Sequence, residues 1–407
     1  MPLAAPGPEL VPAAQGDGPR WLLGLYGDGL GIGPGAYYAF LWCAFAAHLC
    51  VLLAAPALDR RLLRGAAVLL IVAFALAPPL LSQDVFSYVD YARLGVLGDL
   101  NPYSHDPTAL PSDAAFPFVG WADSPSAYGP LFTLLTYPLA SLSVPAALWT
   151  LKGLAAASLL ALALLVARVA PSRGVDPGRA FAMVALNPLV LVHVVGGAHN
   201  DATAMLVAFA GCAAILAARE LSAGFALASA ATLKASTAFA APFALLASPQ
   251  PPTGLKREPE SRFRPVGRFL VGGAMGLAAI GLLAHAAFGW AWLDGFDVVG
   301  ENQGRVSNYS LPNLLSELLN LDVDAVRALA ALVYLTLFAA LLRWVCGGGD
   351  WIRAIGWAAI GLLLATAWLL PWYIVWALPF AAISRDDRLV AAVLTLTALQ
   401  LAARVPL

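Results

Sequence analysis

The residues best suited to chemistry in this chain form two short clusters. The first is Ser82-Gln83-Asp84-Val85-Phe86-Ser87-Tyr88-Val89-Asp90-Tyr91-Ala92-Arg93. Asp84 follows directly on an apolar run, where a carboxylate is costly unless it has a task or a partner. If the segment is helical, Ser87, Tyr88 and Tyr91 share its face at i+3, i+4 and i+7. Asp90 and Arg93 fall on the other side, three apart, and suit an ion pair. Asp84 then has a polar, aromatic face to itself, a setting for a carboxylate that takes a proton from an attacking hydroxyl. The competing reading is a helix N-cap, and a helix-start Asp can be both.

The second cluster is Gly196-Gly197-Ala198-His199-Asn200-Asp201, preceded by Asn187-Pro188. Two glycines let the backbone turn sharply. One Asn or Asp suffices to cap a hairpin; three polar side chains including a histidine exceed that need, so His199, Asn200 and Asp201 are candidate substrate contacts. Two cations could meet an anionic phosphate. Lys234 ends an apolar run, with snorkelling as its plain alternative, and Arg305 is the lone cation of Gly304-Arg305-Val306-Ser307-Asn308-Tyr309. Asn101-Pro102-Tyr103 and Tyr128-Gly129-Pro130 read first as turns, and their rings also suit stacking on a sugar. Trp368, Trp372, Tyr373 and Trp376 surround Pro371 and read as an interfacial aromatic belt. His48, His193 and His285 lie in apolar runs and read as local hydrogen bonders, not metal ligands.

The elements that must position these residues follow from composition. Of 407 residues, 60% are hydrophobic and 12% charged, with mean hydropathy +0.78. That is about half the charged fraction of a soluble domain. The chain is a polytopic all-α membrane protein, which excludes a soluble enzyme, a secreted disulfide scaffold and a nucleic-acid binder. The four cysteines are scattered, so neither zinc nor redox chemistry is supported, and no cofactor is expected. Apolar runs lie near 37–57, 66–83, 146–167, 180–196, 202–218, 221–236, 237–247, 267–288, 328–345, 354–370, 372–383 and 389–403, implying about eleven or twelve spans.

Basic residues set the orientation. Arg60, Arg61 and Arg64, then Arg168, Arg173 and Arg179, then Arg219 lie between runs. Lys256, Arg257, Arg262, Arg264 and Arg268 follow, then Arg343 and Arg353, then Arg385 and Arg388. Placing them all on the cytoplasmic side satisfies strict alternation. Residues 129–145 must then not span, and Pro130, Pro138 and Pro145 split them into short interfacial helices. The opposite, external face carries a large first loop, 84–145, and a second, 289–327. Residues 1–35, rich in Pro, Gly and Ala, read as a flexible tail with a short interfacial piece at Trp21–Tyr26. Residues 36–407 form the membrane domain.

These motifs resemble the GT-C superfamily of membrane glycosyltransferases, and more narrowly the actinobacterial polyprenol-phosphomannose-dependent α-1,6-mannosyltransferases. The resemblance rests on Ser82 to Tyr88, Asn101-Pro102-Tyr103, Tyr128-Gly129-Pro130, and Asn187-Pro188 with Gly197 to Asp201; Leu311-Pro312-Asn313 adds to it. It implies that the Asp opening the first external loop, Asp84, is the catalytic base. It also implies a polyprenyl-phosphate sugar donor and a glycan or glycolipid acceptor at the outer face of a bacterial inner or plasma membrane.

The expected reaction is inverting transfer of a sugar, mannose first, without a metal. Substrate contacts would be Tyr88, Tyr91, Asn101, Tyr103, Tyr128, His199, Asn200 and Asp201, with Lys234 and Arg305 at the donor phosphate. The alternative is a secondary transporter or flippase of lipid-linked sugars. Such proteins collect ionisable residues at the bilayer midplane, whereas here they collect at one outer end.

Overall fold

The computed structural model describes residues 10–14, 19–25, 34–247, 259–305, 307 and 309–403. Most of the expected tail, Lys256, Arg257, Val306, Asn308 and the side chain of Arg262 lie outside the described residues. Among those described there is no strand. The helices are α1 (Pro34–Ala54), α2 (Arg60–Ala75), α3 (Asp84–Val96), α4 (Pro130–Thr136), α5 (Val144–Val169), α6 (Pro177–Ala185), α7 (Asp201–Leu216) and α8 (Glu220–Leu233). After them come α9 (Ala241–Ala247), α10 (Pro259–Phe288), α11 (Gly295–Gly304), α12 (Leu311–Leu319), α13 (Val323–Cys346), α14 (Trp351–Ala365), α15 (Leu378–Ile383) and α16 (Asp387–Ala403).

The all-α membrane class holds, but few of the apolar runs become full-length spans. Among the described residues, Gly35–Ala57, Val144–Arg173, Arg264–Phe288 and Val323–Cys346 are long and apolar enough to cross a membrane. Pro177–Ala185 and Val190–Gly196 add a fifth if this pair, bent by 59°, counts as one. The expected eleven or twelve thus become four or five by length and composition. The others are cut short by polar or proline residues: α7 begins at Asp201, α8 stops before Lys234, and Pro371 ends the run after α14. A 16-residue helix such as α7 spans only about 24 Å at about 1.5 Å per residue, against a hydrocarbon core of about 30 Å. Residues 129–145 hold the seven-residue α4 and a 3₁₀ turn, Tyr137–Leu139, as short as their prolines dictate.

Helix starts carry their caps. Ser143 accepts the Ala146 N–H at the head of α5, and Asp59, Asp176, Asp322 and Asp350 do the same service for α2, α6, α13 and α14. The core lies between α5, α6, α7, α8, α14 and α15, where Leu159, Leu162, Phe181, Phe209 and Phe380 are shut off from solvent. α8 runs against α10 at backbone contact: a Cβ at Gly224 would sit 1.9 Å from the Phe269 carbonyl oxygen, so only glycine fits. α13 instead turns Leu329, Leu332, Val333 and Leu335 outward, an apolar face suited to lipid.

Several of the basic loops are tied to one another by ion pairs. Arg60 reaches Asp176 (3.9 Å), Arg173 pairs with Asp350, and Arg353 pairs with Asp386 (2.5 Å). Parts of the expected tail are packed rather than free: Val11 and Leu22 are fully buried, and Trp21 stands edge-on to Phe118 of the first loop. Tyr26 lies outside the described residues.

Candidate active site

Asp84 is delivered by an irregular connection. α2 ends at Ala75, and Pro78-Pro79 prevents its continuation. Leu81 then adopts φ 58°, left-handed for a branched side chain, and the Ser82 hydroxyl accepts the Asp84 N–H at 3.1 Å. Asp84 is the first residue of α3, where the helix dipole favours an anion. It does not cap. Gln83 holds the cap position, and the Asp84 carboxylate turns away from the backbone amides to accept the Trp121 indole N–H at 2.9 Å. The capping alternative is therefore set aside. Burial pushes the Asp84 carboxyl above the ordinary range, aided by Asp201 and opposed by Trp121, Lys234 and Ser82.

His199 arrives on the second cluster. After the Asn187-Pro188 break the chain forms a π-helical segment, Val190–Gly196, a geometry frequent at functional sites. Asn187 is spent at that break, accepting the Leu189 and Val190 amides. Gly197 is required because a Cβ there would lie 2.5 Å from the His193 carbonyl oxygen and 2.9 Å from the His199 ring. Ala198 follows at φ 58°. The His199 ring is 1% exposed and stacks on Trp372 with centroids 3.5 Å apart. Its Nδ1 lies 3.5 Å from Asp84 Oδ2, close enough for an ion pair but not aligned as a hydrogen bond, and neither ring nitrogen has a hydrogen-bond partner. Burial first, then Lys234 and His193, hold His199 well below its usual range, so the ring is neutral.

Next to it the Asn200 side chain is 4% exposed, with both amide atoms unpartnered. Its backbone flanks the Tyr88 hydroxyl, which burial keeps protonated. Asp201, fully buried, accepts from Lys234 Nζ and from Trp376 Nε1, each at 2.8 Å. Lys234 lies over the rings of Tyr373 (5.0 Å) and Trp376 (5.7 Å). From the second loop, Arg305 stacks on Trp121 at 4.6 Å, while its Nε donates to Asn302.

The predicted residues therefore divide. Asp84, His199, Asn200, Asp201 and Lys234 converge, with Tyr88 and Tyr128 against them: Tyr128 packs on Tyr88 at 4.7 Å, and both phenols feel Asp84. Arg305 reaches the group through Trp121. Tyr91 supports it by donating to the Ser124 carbonyl at 2.7 Å. Asn101 and Tyr103 belong to the framework. Asn101 donates to Phe288 O and accepts the Tyr103 N–H, while the Tyr103 hydroxyl bonds Tyr128 O and Thr133. Their polar atoms are used by the protein itself, in keeping with the turn reading of these two motifs. Asn313 likewise bonds Ser307 O and Ala367 O.

Three further expectations fail. Arg93 pairs with Asp113 at 2.8 Å, not with Asp90, whose carboxylate is 1% exposed and unpartnered. The Trp368–Trp376 group is not a lipid-facing belt: Trp372 and Trp376 are 7% and 5% exposed and line the site, and Trp368 stands 6.3 Å from Trp121. His48 is buried without a hydrogen bond. Trp121 was missed because a lone tryptophan in a loop carries no spacing signal. Among the described residues no three His, Cys, Asp or Glu side chains gather as metal ligands.

Comparison with known proteins gives the family. The sequence profile described as "Alpha-(1->6)-mannopyranosyltransferase, N-terminal domain" matches residues 32–250, which include both clusters. An alpha-(1->6)-mannopyranosyltransferase A of Mycobacterium tuberculosis is 26% identical over 376 residues, covering 84% of this chain and 71% of the relative. Its counterpart in Corynebacterium glutamicum is 22% identical over 349 residues, 78% of this chain and 70% of the relative. A probable alpha-(1->6)-mannopyranosyltransferase of Mycolicibacterium smegmatis is 32% identical over 147 residues, 34% of this chain and 26% of the relative. No solved structure matches. With more than half its length matched by that profile, the chain belongs to the alpha-(1->6)-mannopyranosyltransferase family.

Proposed function

We propose that this chain transfers a mannosyl residue from a polyprenyl-phosphate donor to a hydroxyl of a glycan or glycolipid acceptor, with Asp84 as general base. The observation that carries the reading is the meeting of Asp84, His199, Asn200 and Lys234 in one buried group whose His199 nitrogens and Asn200 amide the protein leaves unpartnered. Buried polar groups are almost always satisfied, so such atoms suit a polar ligand such as a sugar. The acceptor oxygen attacks the anomeric carbon and gives its proton to Asp84. The bond from that carbon to the phosphate oxygen breaks, and the polyprenyl phosphate departs with the electron pair. A single displacement inverts the anomeric centre.

The leaving group is already an anion, so no general acid is required. Lys234, oriented by Asp201, has two N–H donors to spare for the phosphate, and Arg305 is a second cation beside Trp121. The raised carboxyl of Asp84 makes it a stronger base than an ordinary aspartate. Ion pairing among the basic loops supports an external site in a multi-pass protein. Transfer proceeds without a divalent cation; activity lost on chelation and restored by Mg²⁺ or Mn²⁺ would overturn that clause.

The deciding experiment is transfer of radiolabelled mannose from polyprenyl-phosphomannose in membranes holding the wild type or Asp84→Asn. Transfer by the wild type and not by the variant, at equal expression, is expected. Equal transfer by both would remove Asp84 from the mechanism.

A further inference from the structure

Lys152 is fully buried in the first half of α5, and the mechanism above has no use for it. An ammonium inside an apolar helix is expensive, and a methionine would fill the same space. Its partners are three backbone carbonyls: Gly196 at 2.6 Å, Pro78 at 3.3 Å and Val195 at 3.4 Å. Three N–H donors thus meet three acceptors. Pro78 lies in the connection that runs into Asp84, whereas Val195 and Gly196 end the π-helical segment that runs into His199. The Leu80 N–H also donates to Gly196 O at 3.0 Å, so the two segments are joined at one carbonyl. Just beyond the joint each turns left-handed, at Leu81 and at Ala198, both with φ 58°. Each such turn costs about 1–2 kcal/mol outside glycine and persists only where the surroundings hold it.

We propose that Lys152 is a positioning residue for glycosyl transfer: by pinning both segments to α5 it sets the approach of Asp84 to His199. It touches neither substrate nor reacting atoms. The inference rests on the role proposed for Asp84.

The test uses the full chain in membranes with polyprenyl-phosphomannose as donor. Lys152→Met is expected to lower kcat about 100-fold, the cost of misplacing a catalytic group by about 1 Å, with KM for the donor within about threefold. Lys152→Arg keeps the donors and should recover at least about tenfold of that loss. Leu159→Ala, which opens a cavity in the same helix, should lower the melting temperature while kcat stays within about twofold. The proposal is overturned if Lys152→Met keeps kcat within about twofold of wild type, or if Leu159→Ala loses as much kcat as Lys152→Met. Where Lys152→Met does not accumulate, Lys152→Gln decides by the same two constants. An Asp84→Asn arm separates the two readings. Equal transfer by it and the wild type ends the Asp84 mechanism and this inference together. Its loss beside full kcat in Lys152→Met ends this inference alone.

Discussion

Asp84 and Asp386 take the same donor, an indole N–H at 2.9 Å, at the start of a helix, yet they are driven in opposite directions. Burial pushes Asp386 up, but Trp357, the Leu389 amide, Arg353 and the Arg388 amide together outweigh it and hold the carboxyl below the ordinary range. Asp84 has the indole, Ser82 and the charge of Lys234 but no amide cap, and burial wins. The contrast extends to two regions of the molecule. Among the basic loops Asp176, Asp350 and Asp386 each cap a helix and pair with an arginine. In the candidate site a carboxylate, an imidazole and an amide meet with part of their bonding capacity unspent.

Asp84→Asn breaks the contrast most severely. It keeps the Trp121 bond and removes the proposed base, so transfer should fall about 10³-fold. Because the raised carboxyl is a buried charge that the fold tolerates at a cost, thermal melting of this variant should match or exceed the wild type. A melting point several degrees lower would mean that Asp84 is structural, like Asp386.

Lys234→Ala should lower kcat about 100-fold by removing the cation proposed to face the leaving phosphate and leaving Asp201 buried without its partner. Loss confined to KM would place Lys234 in ground-state binding instead. Asp386→Asn should do the reverse, costing about 1–3 kcal/mol of stability while transfer per folded molecule holds. The contribution of Asp386 is present above the unfolded carboxyl value and is lost as pH falls through its lower folded value. Chemical melting of the two proteins across that range measures the difference.

The pH profile sharpens the comparison further. As the proposed base Asp84 would work only when ionised, and its carboxyl is raised, so the acid limb of kcat/KM should lie above about 3.9, the ordinary aspartate value. A limb at or below that value would show that burial does not govern this group. The smallest effect concerns the turn before His199: Ala198→Gly relieves a left-handed alanine and should change stability by no more than about 1 kcal/mol. A loss of transfer in this variant would show that the turn's rigidity matters to the site.

Much of this was legible along the chain. Asp84, His199 and Asn200 announced themselves because a polar residue at the edge of an apolar run has a large local cost. The Gly-rich turn was legible for the same local reason. Asn101 and Tyr103 carried two readings, since turn chemistry and sugar stacking use the same residue types; their partners, Phe288 O and Tyr128 O, show the turn role. The tryptophans around Pro371 were misread because their spacing suits an interfacial belt equally well. Burial at 7% for Trp372 and the stack on His199 decide otherwise.

By itself, then, the sequence determined the all-α membrane class, the capping and proline residues at which several helices start or stop, and the helix-start aspartate, because hydropathy, caps and prolines act over a few residues. Tertiary structure alone decided which polar groups meet. Trp376 reaches Asp201 across 175 positions, Lys152 ties Pro78 to Gly196 from a third helix, and Arg93 chooses Asp113 over its helical neighbour. No local periodicity encodes such pairings. They follow from how short helices, interrupted by their own polar ends, pack around a common point.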